Sequence, residues 1–151
     1  MGTHFDGIAD MKSKVGEHLG YSDWHAVTQE QVDRFADATG DHQWIHVDPE
    51  RAAKGPFGGP IAHGYLTLSL APVLLGEVLA VEGTSFGVNY GCNKVRFPSP
   101  VPVGSSVRLG ATVASVDTFD GGVQVALDVT IEVEGAPKPS CVAQVVYRYY
   151  A

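Results

Sequence analysis

Two periods run along this chain. Between Thr28 and about Val81 the apolar residues recur at helical spacing, and after Gly83 the period becomes two. Thr28 reads as an N-cap with Gln31 at the capping-box position. Val32, Phe35, Ala36 and Thr39 continue the helical stripe, and Gly40 stops it. Asp48-Pro49-Glu50 opens a second, short helix that ends near Gly55, with Asp48 as cap and Pro49 in the first turn. A Gly/Pro-rich loop, Gly55 to Pro60, leads to a segment from His63 to about Val81 that is apolar on nearly every side. A helix of that kind is expected to be largely buried, with a kink or break at Pro72.

The second half alternates. Val107, Leu109, Ala111 and Val113 interleave with Arg108, Gly110 and Thr112. Val123, Val125, Leu127, Val129, Ile131 and Val133 do so over a longer run, behind an Asp120-Gly121-Gly122 turn. Glu134-Gly135 starts the next turn, Ser140 to Tyr149 forms a last strand, and Tyr90 to Phe97 forms one that Pro98 and Pro100 end. The pattern predicts an α+β domain: long antiparallel strands with one apolar face, covered by one very apolar helix. At 151 residues one domain is expected, spanning 1–151 with its core about 15–150.

Composition narrows the partners. Seventeen acidic against ten basic residues leave a formal charge of −7, a field that repels phosphate backbones and anionic lipid. Nucleic acid and membrane surfaces are therefore not expected partners. Met1 to Lys14 lacks an apolar signal core, and the uncharged stretch Gly55 to Gly76 is broken by Gly, Pro and His. Cys92 and Cys141 both sit in apolar strand-like runs and are expected to be buried thiols, so a reducing, cytoplasmic setting is the simplest.

The densest reactive group is Asp41-His42-Gln43-Trp44-Ile45-His46-Val47-Asp48, between two helices. A carboxylate and an imidazole converging from the two sides of a tight loop can hold and polarise one water. On the residues alone, a capping aspartate and a hydrogen-bonded, semi-buried histidine describe the group slightly better. His42 and His46, four apart, with Asp41 could ligate a metal, but Gln43 stands where a zinc-protease helix carries glutamate, so no metal is expected. The chain has neither a nucleophile elbow nor a dinucleotide fingerprint. A second group, Ala62-His63-Gly64, opens the apolar helix, where free backbone N–H groups and a missing side chain suit a carbonyl oxygen; close packing explains Gly64 equally well.

Asp41 to His46, Ile61-Ala62-His63-Gly64, Lys94-Val95-Arg96-Phe97-Pro98 and Val101-Pro102-Val103-Gly104 together resemble the MaoC-like dehydratase family, which contains the (R)-specific enoyl-CoA hydratases. The resemblance spans roughly Val15 to Tyr149. It implies a hot dog fold, usually dimeric, in which an antiparallel sheet wraps one long apolar helix. It further implies reversible addition of water to a trans-2-enoyl-CoA or acyl-carrier thioester, without a cofactor. By the same resemblance Asp41 and His46 match the catalytic dyad and Gly64 the donor to the thioester oxygen, with Gln43, His63, Phe97 and Arg96 at the substrate. Gln43-Trp44 replaces the Asn-Pro common in the family, and Trp44 is expected to line or narrow an acyl tunnel. Arg96, Lys94, Lys54 and Arg51 are candidate cations for a CoA pyrophosphate. The alternatives on the same fold are an acyl-CoA thioesterase, with Glu77 as its candidate acid, and a non-catalytic acyl-thioester binder.

Overall fold

The structure, a computed structural model, describes residues 2–151; Met1, at the head of the charged N-terminal stretch, lies outside them. Its elements run β1 (Thr3–Phe5), α1 (Ile8–Ser13), β2 (His18–Tyr21), β3 (His25–Ala26), α2 (Gln29–Thr39), α3 (Trp44–Val47) and α4 (Pro49–Ala53). They continue α5 (Gly64–Ser69), α6 (Ala71–Val78), β4 (Leu79–Val81), β5 (Phe86–Arg96), β6 (Ser106–Phe119), β7 (Gly122–Val133) and β8 (Pro139–Tyr150).

The large sheet is antiparallel, ordered β2-β6-β7-β8-β5, with β3 also paired to β6. Its register follows from the alternation. Leu109 faces Ile131, and Ile131 faces Cys141; Val113 faces Leu127, and Leu127 faces Val145. All of these are buried, so every second residue of three adjacent strands points into one core. The hairpin between β6 and β7 turns on Asp120-Gly121, where Gly121 takes φ +96°, a region open to glycine. Leu66, Leu74, Leu75 and Val78 of the apolar helix pack into the same core.

The predicted helices are present with corrections. Thr28 caps α2 by accepting the Gln31 N–H, and Asp48 caps α4 by accepting that of Arg51. The apolar helix is two pieces, α5 and α6, with Leu70 between them: Pro72 lacks the N–H that a continuous ladder needs, so the chain restarts there. It ends at Val78 instead of Val81, because Leu79–Val81 leaves as β4 and pairs in parallel with β1. It is also not buried on every side. Tyr65 is 73% and Val73 69% exposed, on a face the sheet does not reach.

Three further features depart from the sequence reading. The segment between α2 and α4, expected as a loop, contains the single turn α3. The N-terminal elements β1, α1, β2 and β3 have too few apolar positions to show a period. Cys141 is buried, and burial pushes its thiol up to about 11, but Cys92 is exposed on β5. This strand is an edge: Phe86, Val88 and Tyr90 on it are exposed, and apolar side chains here do not imply burial. Among the described residues no helix is long and apolar enough to cross a membrane.

Candidate active site

Glycine ends α2 in the left-handed region, Gly40 at φ +84°, and the chain reverses. The Asp41 carboxylate then accepts the Gln43 N–H two residues on, an Asx turn that starts α3. One turn of helix brings His46 inward, where it is buried. Gln29, at the start of α2, donates its side-chain amide to the His46 carbonyl and to Asp33, tying α3 to α2.

The His46 ring is fixed on its Nδ1 side. Nδ1 lies 2.6 Å from the carbonyl oxygen of Ile61; a carbonyl only accepts, so Nδ1 carries the hydrogen and Nε2 keeps a lone pair. The segment supplying that carbonyl is itself held on both sides. Ile61 N–H donates to the Ile45 carbonyl and Ala62 N–H to that of Val101, while Val103 N–H returns to Pro60. An isolated bridge between Ile61 and Pro102 pairs this short strap with the segment 101–105, which runs into β6.

His63 follows on the same strap. Its Nε2 donates to the main-chain carbonyl of Asp41 at 3.0 Å, and its ring stacks on His46 with centroids 3.9 Å apart and planes 24° apart. The next residue, Gly64, is the first of α5, and no side chain caps that helix. The ring of Phe97 lies against Gly64, so a Cβ there would sit 3.1 Å from it. Phe57, Ile61, Gly64, Thr67, Phe97 and Val101 enclose much of an adjoining, mainly apolar cleft of about 330 Å³. The packing reason for glycine and the opening for a ligand carbonyl therefore coexist.

Of the predicted site residues, Asp41, His46, His63, Gly64 and Phe97 come together, with Gln43 exposed at the start of α3. Arg96 does not join them: it is exposed on edge strand β5, and its guanidinium donates to the neighbouring Val95 carbonyl. Lys94 borders a different cavity, on the face of the sheet with Thr112, Asp128 and Gln144. Trp44 is no tunnel wall. Its ring packs on Gly55 and beneath the Arg51 guanidinium, 4.4 Å from the ring centroid, fastening α3 to α4 and the glycine loop. The role of Ile61 was not readable from the sequence, since its contribution is a backbone oxygen.

A metal set would need different side chains from those first considered. His42 turns to Asp37 of α2, 2.9 Å away, a hydrogen bond that raises its pKa. Asp41, His46 and His63 do bring ligand atoms within 4.8 Å of one another. Nδ1 of His46 and Nε2 of His63 are each committed to a main-chain carbonyl, and the nitrogen left on His63, Nδ1, is buried. The arrangement suits proton transfer better.

Burial holds the His46 imidazole below its ordinary value of 6.5, against the upward pull of its hydrogen bond to Ile61; His63 also lowers it and Asp41 raises it. The neutral, proton-accepting form is thus the one present at neutral pH. An unfolded chain protonates this histidine at higher pH than the folded one does. The stability His46 contributes is complete above 6.5 and falls as pH drops below it. Urea unfolding of the native chain and of His46→Gln, from about pH 8 to about pH 5, should show the native chain's relative stability falling in that window. A relative stability that rises on acidification contradicts this assignment.

Comparison with known proteins shows the family. The family model described as MaoC like domain matches residues 10–134. The chain is 55% identical over 148 residues to 3-hydroxyacyl-thioester dehydratase Z of Mycobacterium tuberculosis, covering 97% of this chain and 98% of that one. It is 46% identical to Nodulation protein N of Rhizobium leguminosarum bv. viciae, covering 93% and 89%. Among solved structures, an (R)-hydratase from A. caviae superposes with a TM-score of 0.72 at 28% identity, covering 88% of this chain and 94% of that one. The sheet wrapped round α5 and α6 is the hot dog fold that the resemblance implied, and the chain belongs to the MaoC-like family as an enzyme of its hydratase–dehydratase class.

Proposed function

We propose that the chain catalyses the reversible, (R)-specific hydration of trans-2-enoyl thioesters to 3-hydroxyacyl thioesters, with Asp41 and His46 acting on water and Gly64 on the thioester oxygen. The observation that carries this reading is the His46 ring, neutral and with Nε2 free, converging with the Asp41 carboxylate beside the uncapped start of α5. In the hydration direction a water O–H breaks as its oxygen bonds to the β carbon. The released proton passes to Nε2 and then to the α carbon, where the former π pair becomes the new C–H bond. Asp41 orients the water and stabilises the transient imidazolium. Negative charge moves onto the thioester oxygen during attack, and the Gly64 N–H at the helix start meets it there. The cleft beside Gly64 and Phe97 offers an apolar surface next to that oxygen.

The surroundings of Glu77 do not favour the thioesterase alternative. Glu77 lies near the end of α6 and accepts the Asp23 N–H at 3.0 Å, which lowers its pKa; its other oxygen lies 2.6 Å from His25. It fastens the β2–β3 connection to the helix instead of facing a substrate.

The working unit in this reading is a homodimer. β5 presents eleven residues of unpaired backbone edge, with Phe86 and Val88 exposed along it, and a second copy is the partner that meets the same edge with the same residues.

Loss of the conjugated enoyl absorbance of crotonyl-CoA, without thiol release, is the expected activity. Asp41→Asn should lower its kcat/KM by about 10²–10⁴-fold. Asp41 is exposed, so the variant's melting temperature should stay unchanged. A fully active Asp41→Asn protein overturns the site, thiol release from a saturated acyl-CoA favours the thioesterase, and binding without turnover favours the binder. Sedimentation equilibrium at micromolar concentration should return twice the 16.0 kDa chain mass, and a monomer there contradicts the dimer.

A further inference from the structure

We infer that His63 is a positioning residue, which sets the separation and orientation of Asp41 and His46 and does not bind the substrate. The inference rests on the hydratase reading and assigns a role within that site. His63 is 3% exposed, so nearly the whole ring is spent on protein contacts. One edge is a donor: Nε2–H holds the main-chain carbonyl of Asp41 at 3.0 Å. One face is a plate: it stacks on His46 at 3.9 Å. Phe35 of α2 packs against the same ring, with centroids 4.8 Å apart.

Each contact removes a freedom that the rest of the site leaves open. The Ile61 bond anchors His46 at Nδ1 but lets the ring rock about that point, which would swing Nε2. The stacked His63 face blocks the rocking. Asp41 stands on an exposed turn, its carboxylate accepting from Gln43 N–H and its own N–H donating to Thr39 Oγ1, each at 3.3 Å, and the His63 donor fixes its carbonyl from the buried side. Because Gly64 follows directly, the same residue also ties the spacing of the pair to the start of α5.

The ring has a cost that a packing residue would avoid. Its Nδ1 is buried without a hydrogen-bond partner among the described residues. A buried unpaired polar atom is destabilising, and phenylalanine would fill the same stack without one. Histidine here combines a flat face with a donor at the Nε2 position, and only the second of these requires a nitrogen. Stability and activity should then respond in opposite directions.

The test is steady-state hydration of crotonyl-CoA by the full chain and by His63→Phe, His63→Gln and His63→Asn, with thermal melts of each. Phenylalanine keeps the stack and removes the donor. Glutamine places an amide donor near the Nε2 position, and asparagine is too short to reach Asp41. Phenylalanine should lower kcat roughly tenfold to hundredfold, the scale of a misplacement of about 1 Å, with KM within about threefold. Its melting temperature should equal or exceed that of the native chain. Glutamine should recover more kcat than asparagine, and this comparison decides the matter if the phenylalanine variant does not fold. A phenylalanine variant as fast as the native chain overturns the inference. So does a rise in KM at constant kcat, which would return His63 to the substrate, or equal kcat in the glutamine and asparagine variants. A native chain that leaves crotonyl-CoA unchanged fells the hydratase reading first and this assignment with it.

Discussion

The site depends on one hydrogen bond, from His46 Nδ1 to the carbonyl oxygen of Ile61. A histidine on a single turn of helix, between two longer helices, has no orientation of its own. The carbonyl selects its tautomer, aims Nε2 away from the strap and holds the ring in a buried place, where burial in turn keeps it neutral. The strap can do this because its own backbone is committed on either side, to Ile45 through the Ile61 N–H and to Val101 through the Ala62 N–H. A single backbone segment therefore carries the carbonyl that orients His46, the histidine that stacks on His46 and the glycine that opens α5.

The sheet supplies the rigidity. Its three central strands, β6, β7 and β8, are joined by short turns and interlock through buried Val, Leu and Ile at every second position. The segment 101–105 that pairs with the strap enters β6 directly, and Ser140 at the start of β8 donates to the Pro100 carbonyl just before that segment. Phe97, leaving β5, closes on Gly64 from the opposite side. The geometry around Gly64 is thus fixed by the sheet and only completed by the loop carrying Asp41. Where the sheet ends at β5 its edge is bare, and the exposed Tyr65 and Val73 show that the helix, too, has a face this chain does not cover.

Much of the fold was legible because its signals are local. The sequence pattern identified β7 and β8 nearly to their ends, while for β6 the alternation read stops at Val113, where the register with β7 shifts before Ser115; the caps at Thr28 and Asp48 act through bonds three residues long. What failed required knowledge of neighbours. Leu79–Val81 has the composition of the helix before it and becomes a strand only because β1 lies alongside. Cys92 stands in a run with the composition of a core strand and is exposed because, among the described residues, no strand pairs beyond β5. At the candidate site, Asp41, His46 and Gly64 were visible as residue types at a spacing that resembles the family's, and the fold brings them together. The Ile61 carbonyl has no side-chain signature. His63 could be placed near the centre by sequence, but its stacking on His46 needed the fold. Trp44 was misread since its bulk suggested a tunnel, whereas Arg51 and Gly55 offered it a surface nearer in the chain.

The central claim is that the Ile61 carbonyl fixes His46 as a neutral imidazole with hydrogen on Nδ1 and a free Nε2. Long-range proton–nitrogen correlation spectra of the histidine side chains at neutral pH test it directly, with the His46 signals assigned by their loss in His46→Gln. A protonated Nδ1 beside an unprotonated Nε2 is the result the account predicts. The opposite tautomer, or a ring carrying hydrogen on both nitrogens, would contradict it.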